Sequence, residues 1–576
     1  MHLNIKKYIR EKFISLLIVV SFLYTFFYNL LFFPLENSPD YIYYFSYFET
    51  FFKVKEYTNL DQGLIYHFLI SLVVSLSEKS INGPNVQIYI SNAIHLINNL
   101  LFLVSCFGVN HLLKFYKVKD RDRHIIILIT IFLPFVTQAR FHYKPEIFAI
   151  AFIPWMLFNF LKYVQTKNMK YLLIGITLFT GTAFLKGNIL TMLSIFMFLV
   201  LFKEIKNISA KHIFTGVSYF LVLSASLLLE NRLFNGTNLL SNTQQRIDSN
   251  VYQNTVSADF FTNFSFYKFI RKPNYDIENV NFFSTIFIDT FNDFFGVSWN
   301  IDHFPMIREY ELFQNWILNG LFNYSEYYIS FLLGIVFYSG LIYYMFISKH
   351  NNNEKIFYAA PFIGIAILFI NSLGFPFKNF DPAKGDTFKS IYFSFLLFVS
   401  VIIILKNKIP SFKTYTKSSL VLLIICFNLF SMGINTEIFK NMKFVEQKSF
   451  VLEHTPVCQI GKFIDFDIFD VNCNPPSDSC GKPKIENNYT KREVNNDGNL
   501  IFFIDDKFGE IYLYDSNNLK YITVKGFDEC YYYQDLGLKH PYRVNNLRIP
   551  FVNVFVVVLM LNGIFYNLRN PKNKEI

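Results

Sequence analysis

The sequence predicts a polytopic α-helical membrane protein of about twelve spans, with interfacial helices on the outer side and a small outer α+β domain before the last helix. Three observations carry this. Of 576 residues, 52% are hydrophobic and 17% charged, where soluble chains carry about a quarter charged residues. Mean hydropathy is +0.28. The apolar residues lie in long blocks rather than amphipathic periods, as membrane-spanning helices require. A soluble enzyme and a disordered scaffold are excluded on these grounds. The net charge of +10 belongs to membrane topology and is no sign of nucleic-acid binding.

Apolar stretches long enough, or nearly so, to cross a hydrocarbon core run over 13–33, 89–113, 125–139, 146–161, 171–185 and 188–202. Others follow at 213–230, 327–347, 356–374, 390–405, 418–434 and 549–567. The first lacks a small-residue cleavage site, so it reads as a retained helix and not a secretory signal. The stretch 64–77 is interrupted by His67 and followed by Glu78 and Lys79. It reads as interfacial or re-entrant, because threading it through would invert everything downstream.

Charge tests this order. With the N-terminus inside, every inner connection is basic: Lys6 to Lys12, Lys114 to Arg123, Lys162 to Lys170, Lys203 to Lys211, Lys349 and Lys355, Lys406 to Lys417, and Arg569 to Lys574. Positive residues concentrate on the cytoplasmic side of membrane proteins, so both termini are expected to be cytoplasmic, in a plasma membrane of bacterial inner-membrane type.

Three long segments then lie outside: a first loop at 34–88, a middle loop at 231–326 and a domain at 435–548. The chain divides into a transmembrane module over 1–434, the outer domain over 435–548, and a final helix with its tail over 549–576. The outer domain is polar and turn-rich, with strand-like runs at 500–504, 511–514 and 521–525. It also holds Cys458, Cys473, Cys480 and Cys530, an even set that reads as two disulfides in an oxidising compartment. Cys106 and Cys426 lie within spans and read as packing residues.

Ionisable groups at the membrane surface mark candidate chemistry. The first loop opens with Glu36 and Asp40, followed by an aromatic amphipathic run containing Glu49. Asp40 can act as general base on an acceptor hydroxyl and can equally start the interfacial helix. Between the third and fourth spans stands Arg140-Phe-His142-Tyr143-Lys144-Pro-Glu146. Its bases either pair with Glu146 or receive a phosphate. Lys186-Gly187-Asn188 forms a tight hairpin with no local acid, and Lys378 to Lys389, including Lys384, carries three lysines with Asp381 and Asp386. That last set can clamp a diphosphate, hold a cation, or remain a solvated loop. No phosphate-binding glycine loop, zinc-protease motif or serine-hydrolase elbow occurs.

The arrangement resembles the GT-C superfamily of integral-membrane glycosyltransferases, in which the first outer loop follows the first helix and carries an acidic catalytic residue. Pro39-Asp40-Tyr41 occupies that place, and Gln62-Gly63-Leu64-Ile65-Tyr66-His67-Phe68 resembles the interfacial segment before the second span. Tyr143-Lys144-Pro-Glu146 resembles the motif opening the fourth span. The run 172–189 is similar to the glycine-rich span ending in a base, and Asp386 to Tyr392 to the basic entry of a late helix. The family's double proline is absent, and lysine stands where arginine is frequent. The resemblance covers about the first 400 residues. It implies a polyprenyl-phosphate-linked sugar donor, a lipid-linked glycan, lipid or protein acceptor, and inverting single displacement on the outer face. It gives catalysis to Asp40, Glu36 and Glu146, and substrate contacts to Glu49, Arg140, His142, Lys144, Lys186, Lys384 and Lys389. No metal is expected, although some members of the family need a divalent cation. The alternatives are a polysaccharide polymerase or ligase, which would work through basic loops, and a lipid or solute transporter.

Overall fold

The computed structural model describes residues 2–32, 39–53, 56–58, 62–77, 83–202, 208–236, 262, 264, 282–291, 321–347, 354–374, 389–429, 492–493, 500–505, 510–515, 520–525 and 547–569. In chain order the helices are α1 His2–Phe32, α2 Pro39–Phe51, α3 Leu64–Ser77, α4 Gly83–Phe115, α5 Asp120–Ile131 and α6 Pro134–Phe141. They continue as α7 Glu146–Thr166, α8 Met169–Ala183, α9 Gly187–Phe202, α10 Ala210–Asn235, α11 Phe282–Asp289 and α12 Leu321–Phe346. Then come α13 Lys355–Gly374, a 3-10 turn Ser390–Phe393, α14 Ser394–Lys408, α15 Thr414–Leu429 and α16 Phe551–Arg569.

The protein is an integral membrane protein. Among the described residues six helices are long and apolar enough to cross a bilayer (α4, α7, α10, α12, α14 with its flanking turns, and α16), and α5 with α6 makes a bent seventh. The sequence reading treats 125–139 as one straight span. The structure breaks it by 56° between Ile131 and Pro134. Proline supplies no N–H to the preceding turn and clashes with the carbonyl four residues back, yet suits the first position of a new helix. One helix therefore ends at Ile131 and another begins at Pro134.

The centre of the bundle is α7, flanked by α4, α8 and α14. The most apolar stretches of α7 and α14 are 78% buried, against 22% for α10, so α10 presents most of its surface to lipid. Small residues let α4 and α7 approach closely, as in membrane helix pairs generally. A Cβ on Gly108 would lie 2.8 Å from Trp155. Alongside, Trp155 Nε1 donates to Val104 O at 2.9 Å and Ser105 Oγ to Ile150 O at 2.9 Å. Around this core α1 rests on α4 and α5, α9 on α13, and α16 on α8 and α10. At the end where α4 finishes, ion pairs close the bundle: Asp122 with Lys417 at 2.5 Å and Glu354 with Lys406 at 2.5 Å.

In the 435–548 region the described residues form a four-stranded antiparallel sheet, β1 Arg492–Glu493, β2 Leu500–Asp505, β3 Glu510–Asp515 and β4 Lys520–Lys525, in sequential order. Leu500 pairs with Asp515 and Glu510 with Lys525. The three longer strands fall on the three runs read from the sequence, because alternating β-branched and aromatic residues favour extended pairing.

Candidate active site

The end of the bundle where α7 begins gathers four connections that lie far apart in sequence. The first is the entry to α3. Gly63 N donates to Leu185 O at 2.7 Å, and a Cβ on Gly63 would run into the Phe184 carbonyl and lie 2.9 Å from Leu185 Cα. Only glycine permits this approach, which fixes the entry to α3 against the α8–α9 hairpin. Four residues on, His67 is fully buried. Tyr47 of α2 stacks on it at 3.8 Å with the rings 3° from parallel. His67 Nε2 lies 3.1 Å from Gln62 Oε1, and Nδ1 meets the Tyr143 hydroxyl. The Gln62 oxygen is an acceptor, so this pairing assigns the proton to Nε2 and leaves Nδ1 to accept from Tyr143. Burial, helped by the nearby charge of Lys186, holds the histidine well below its ordinary titration range, so it is neutral.

The second connection, Tyr143 to Glu146, is held from α4. Asn98 Nδ2 donates to Arg140 O at 3.0 Å and to His142 O at 2.8 Å, while its Oδ1 accepts from Tyr66 at 2.8 Å. These bonds satisfy carbonyls at the C-terminal end of α6 that are buried inside the bundle. The third connection supplies Lys186, whose Nζ lies 2.8 Å from Glu146 Oε1; the carboxylate side chain is 0% exposed and the lysine 18%. Glu146 Oε2 is buried with no hydrogen-bond partner among the described residues. The fourth is the 3-10 turn Ser390–Phe393, capped by Lys389. The Tyr392 ring there lies 4.4 Å from Lys186 Nζ and 5.2 Å from Lys144 Nζ. Both ammonium groups face the electron-rich side of one ring. Beneath the turn, Asp289 of α11 accepts from Ser390 N through Oδ2 and from Gln138 Nε2 at 3.5 Å.

Of the residues expected from sequence, Lys144, Glu146, Lys186 and Lys389 are brought together here. Glu49 is buried on α2. Asp40 lies in the first turn of α2, where the positive end of the helix dipole favours a carboxylate; its side chain is outside the described residues, as are Glu36, Lys384 and the four outer cysteines.

Arg140 is placed differently from the sequence reading, which puts it with His142 in a short outer loop whose bases pair with Glu146 or receive a phosphate. The bend at Pro134 instead carries Arg140 back among the helices, in the last turn of α6. Its guanidinium donates to Asn99 Oδ1 at 2.5 Å, Thr25 Oγ1 at 2.7 Å and Ile131 O at 3.4 Å, and lies 4.6 Å from the Phe102 ring. Arg140 thus braces α1, α4 and α5. His142 is buried at 4% exposure, its carbonyl held by Asn98. Asn235 is buried too: its side chain donates to Gln62 O at 3.0 Å and accepts from Thr58 at 2.9 Å.

Sequence reasoning missed Tyr47, Asn98 and Asp289, and read His67 as little more than a polar break in an apolar run. A histidine that survives in such a run is itself a signal, since burying it unpartnered is costly. Asp289 gave none, being one acid in a long loop. No group of three or more His, Cys, Asp or Glu side chains comes together among the described residues.

No family model, no curated protein and no solved structure matches the chain.

Proposed function

We propose that the chain is a membrane glycosyltransferase of the GT-C kind, moving a sugar from a polyprenyl-phosphate-linked donor to a lipid-linked glycan, lipid or protein acceptor on the extracytoplasmic face. The observation that carries this reading is the convergence of the segments Gln62 to His67, Tyr143 to Glu146, Lys186-Gly187 and Lys389 to Tyr392 at one end of the bundle. These are the segments on which the resemblance rests. Separately they are weak motifs; together they make a basic, aromatic-lined end with a buried carboxylate.

In the proposed reaction an acceptor hydroxyl oxygen attacks the anomeric carbon of the donor. The bond from that carbon to the phosphate oxygen breaks with inversion, and Asp40 takes the acceptor proton. Lys186, Lys144 and Lys389 stabilise the negative charge on the departing lipid phosphate, with Lys384 on the connection leading to them. Glu146 keeps Lys186 in place, and Glu36 is the reserve base. The site is extracytoplasmic and both termini cytoplasmic, in a bacterial inner membrane. The full span count is twelve: the seven above, with the shorter apolar helices Ile14–Tyr28, Met169–Ala183, Gly187–Phe202, Lys355–Ile370 and Thr414–Leu429 supplying five more. Leu64–Ser77 is the interfacial helix.

The test is transfer of radiolabelled sugar from a panel of polyprenyl-phosphate sugars in membranes containing wild-type chain or Asp40→Asn at equal expression. Transfer by the wild type and a loss of about a hundredfold or more in the variant are expected for removal of a general base. Transfer that survives the substitution would move the base to Glu36, Glu49 or Glu146, and no transfer from any donor would defeat the reading.

A further inference from the structure

The entry to α16 reaches across almost the whole chain to hold the first outer loop. Arg548 N donates to Phe51 O, the last residue of α2, at 2.8 Å. Its guanidinium donates through Nη1 to Glu56 O at 2.6 Å and through Nη2 to Leu233 O at 3.1 Å. The same group lies 4.2 Å from the Phe234 ring centroid. Phe234 in turn contacts Phe51 at 5.8 Å, and Phe51 contacts Phe68 of α3 at 5.6 Å. One arginine therefore joins the end of α10, the end of α2 and the segment leading to α3.

The position of Arg548 is itself fixed. Four and five residues further on, Glu230 of α10 accepts from Val552 N at 3.0 Å, Asn553 N at 2.7 Å and Asn553 Nδ2 at 2.8 Å. A carboxylate on the first N–H groups of a helix satisfies donors that have no partner within it and favours the positive end of the dipole. Nearby, Thr58 N donates to Phe234 O at 3.1 Å and Asn235 bridges Thr58 and Gln62. The loop is thus pinned from α10 and α16 just before it delivers Gln62 and His67 to the site, and just after the helix that carries Asp40.

We infer that Arg548 is a positioning residue for the first outer loop: its backbone N–H on Phe51 and its guanidinium fork on Glu56 and Leu233 together hold α2, and with it Asp40, in register with the lysine-bearing connections. This rests on the glycosyltransferase reading for what the loop does, while the clamp itself is a matter of structure. A planar guanidinium can serve two carbonyls and an aromatic face at once; a lysine ammonium is a point charge and cannot reproduce the fork.

The test compares wild type, Arg548→Ala and Arg548→Lys as full chains in lipid nanodiscs, by hydrogen exchange and by transfer kinetics with the active polyprenyl-phosphate sugar. Arg548→Ala should raise exchange at amides in 45–62 by about tenfold or more, leave α7 and α8 unchanged, and lower kcat by about tenfold with little change in donor KM. Arg548→Lys should fall between. Exchange that is unchanged, or that rises throughout the bundle, overturns the clamp, and so does a confined rise in exchange with kcat unaltered. If the wild type transfers no sugar, the glycosyltransferase reading fails, and the exchange pattern alone decides whether Arg548 holds the loop.

Discussion

A lysine that loses its carboxylate and a carboxylate that loses its lysine do not suffer equally when one of the two is the more deeply enclosed. Glu146 is 0% exposed and Lys186 is 18% exposed, so stranding Glu146 leaves the costlier charge. Breaking a buried pair from one side costs about 3–5 kcal/mol when the remaining ion has no other partner. Lys186→Met should therefore destabilise the protein by about 3 kcal/mol and Glu146→Gln by clearly less. The double variant should recover most of the loss. Thermal unfolding in detergent micelles checks this; equal losses from the two single variants would show that Glu146 is not the enclosed partner. At this scale the sequence was partly legible. The lack of any acid beside Lys186 in the chain left a ligand or a partner on another loop open, and the structure pairs it with Glu146. The fate of Arg140 was not legible, because a base near a span end looks the same whether it points outward or back into the bundle.

Between elements, His67 is the residue through which α2, α3 and the α6–α7 connection dock. Tyr47 covers its face, Gln62 takes one nitrogen and Tyr143 the other. Because burial lowers its titration range below the ordinary 6.5, the unfolded chain binds a proton near that pH that the folded chain refuses. The sign follows: docking is unaffected above about pH 6.5 and weakens as pH falls below it, by up to about 1.4 kcal/mol per pH unit. Stability measured from pH 8 down to 5 should decline below about 6.5, and His67→Gln should flatten that decline. An unchanged slope in the variant would remove His67 from the account. The break between α5 and α6 shows why elements were only partly legible. Hydropathy averaged over 125–139 describes an apolar span correctly and cannot register one missing N–H at Pro134. The strands of the outer sheet were easier, since period-two alternation is visible within six residues.

For the whole molecule, the reading stands on sidedness. The ion pairs of Asp122 with Lys417 and Glu354 with Lys406 lie at the opposite end of the bundle from Lys186 and Tyr392, and which end faces the cytoplasm is the expectation to test. A green fluorescent reporter fused after Lys413 should fluoresce while an export-dependent phosphatase at the same point stays silent. Fusions after Lys525 should give the reverse, and a swapped pattern would invert the topology. The architecture was the most legible level, because composition and charge order bear on it directly. The meeting of four connections was not, since no local rule relates Gly63 to Leu185 or Tyr392 to Lys186. The link from Glu230 and Phe51 to the start of α16 has one more consequence, in the order of synthesis. A growing chain inserts its early helices long before residues 548–553 leave the ribosome. The connection from α2 to α3 therefore waits, unclamped, through the translation of the 496 residues between Phe51 and Arg548, and a ribosome that stalls before α16 leaves a bundle that is inserted but still unlatched.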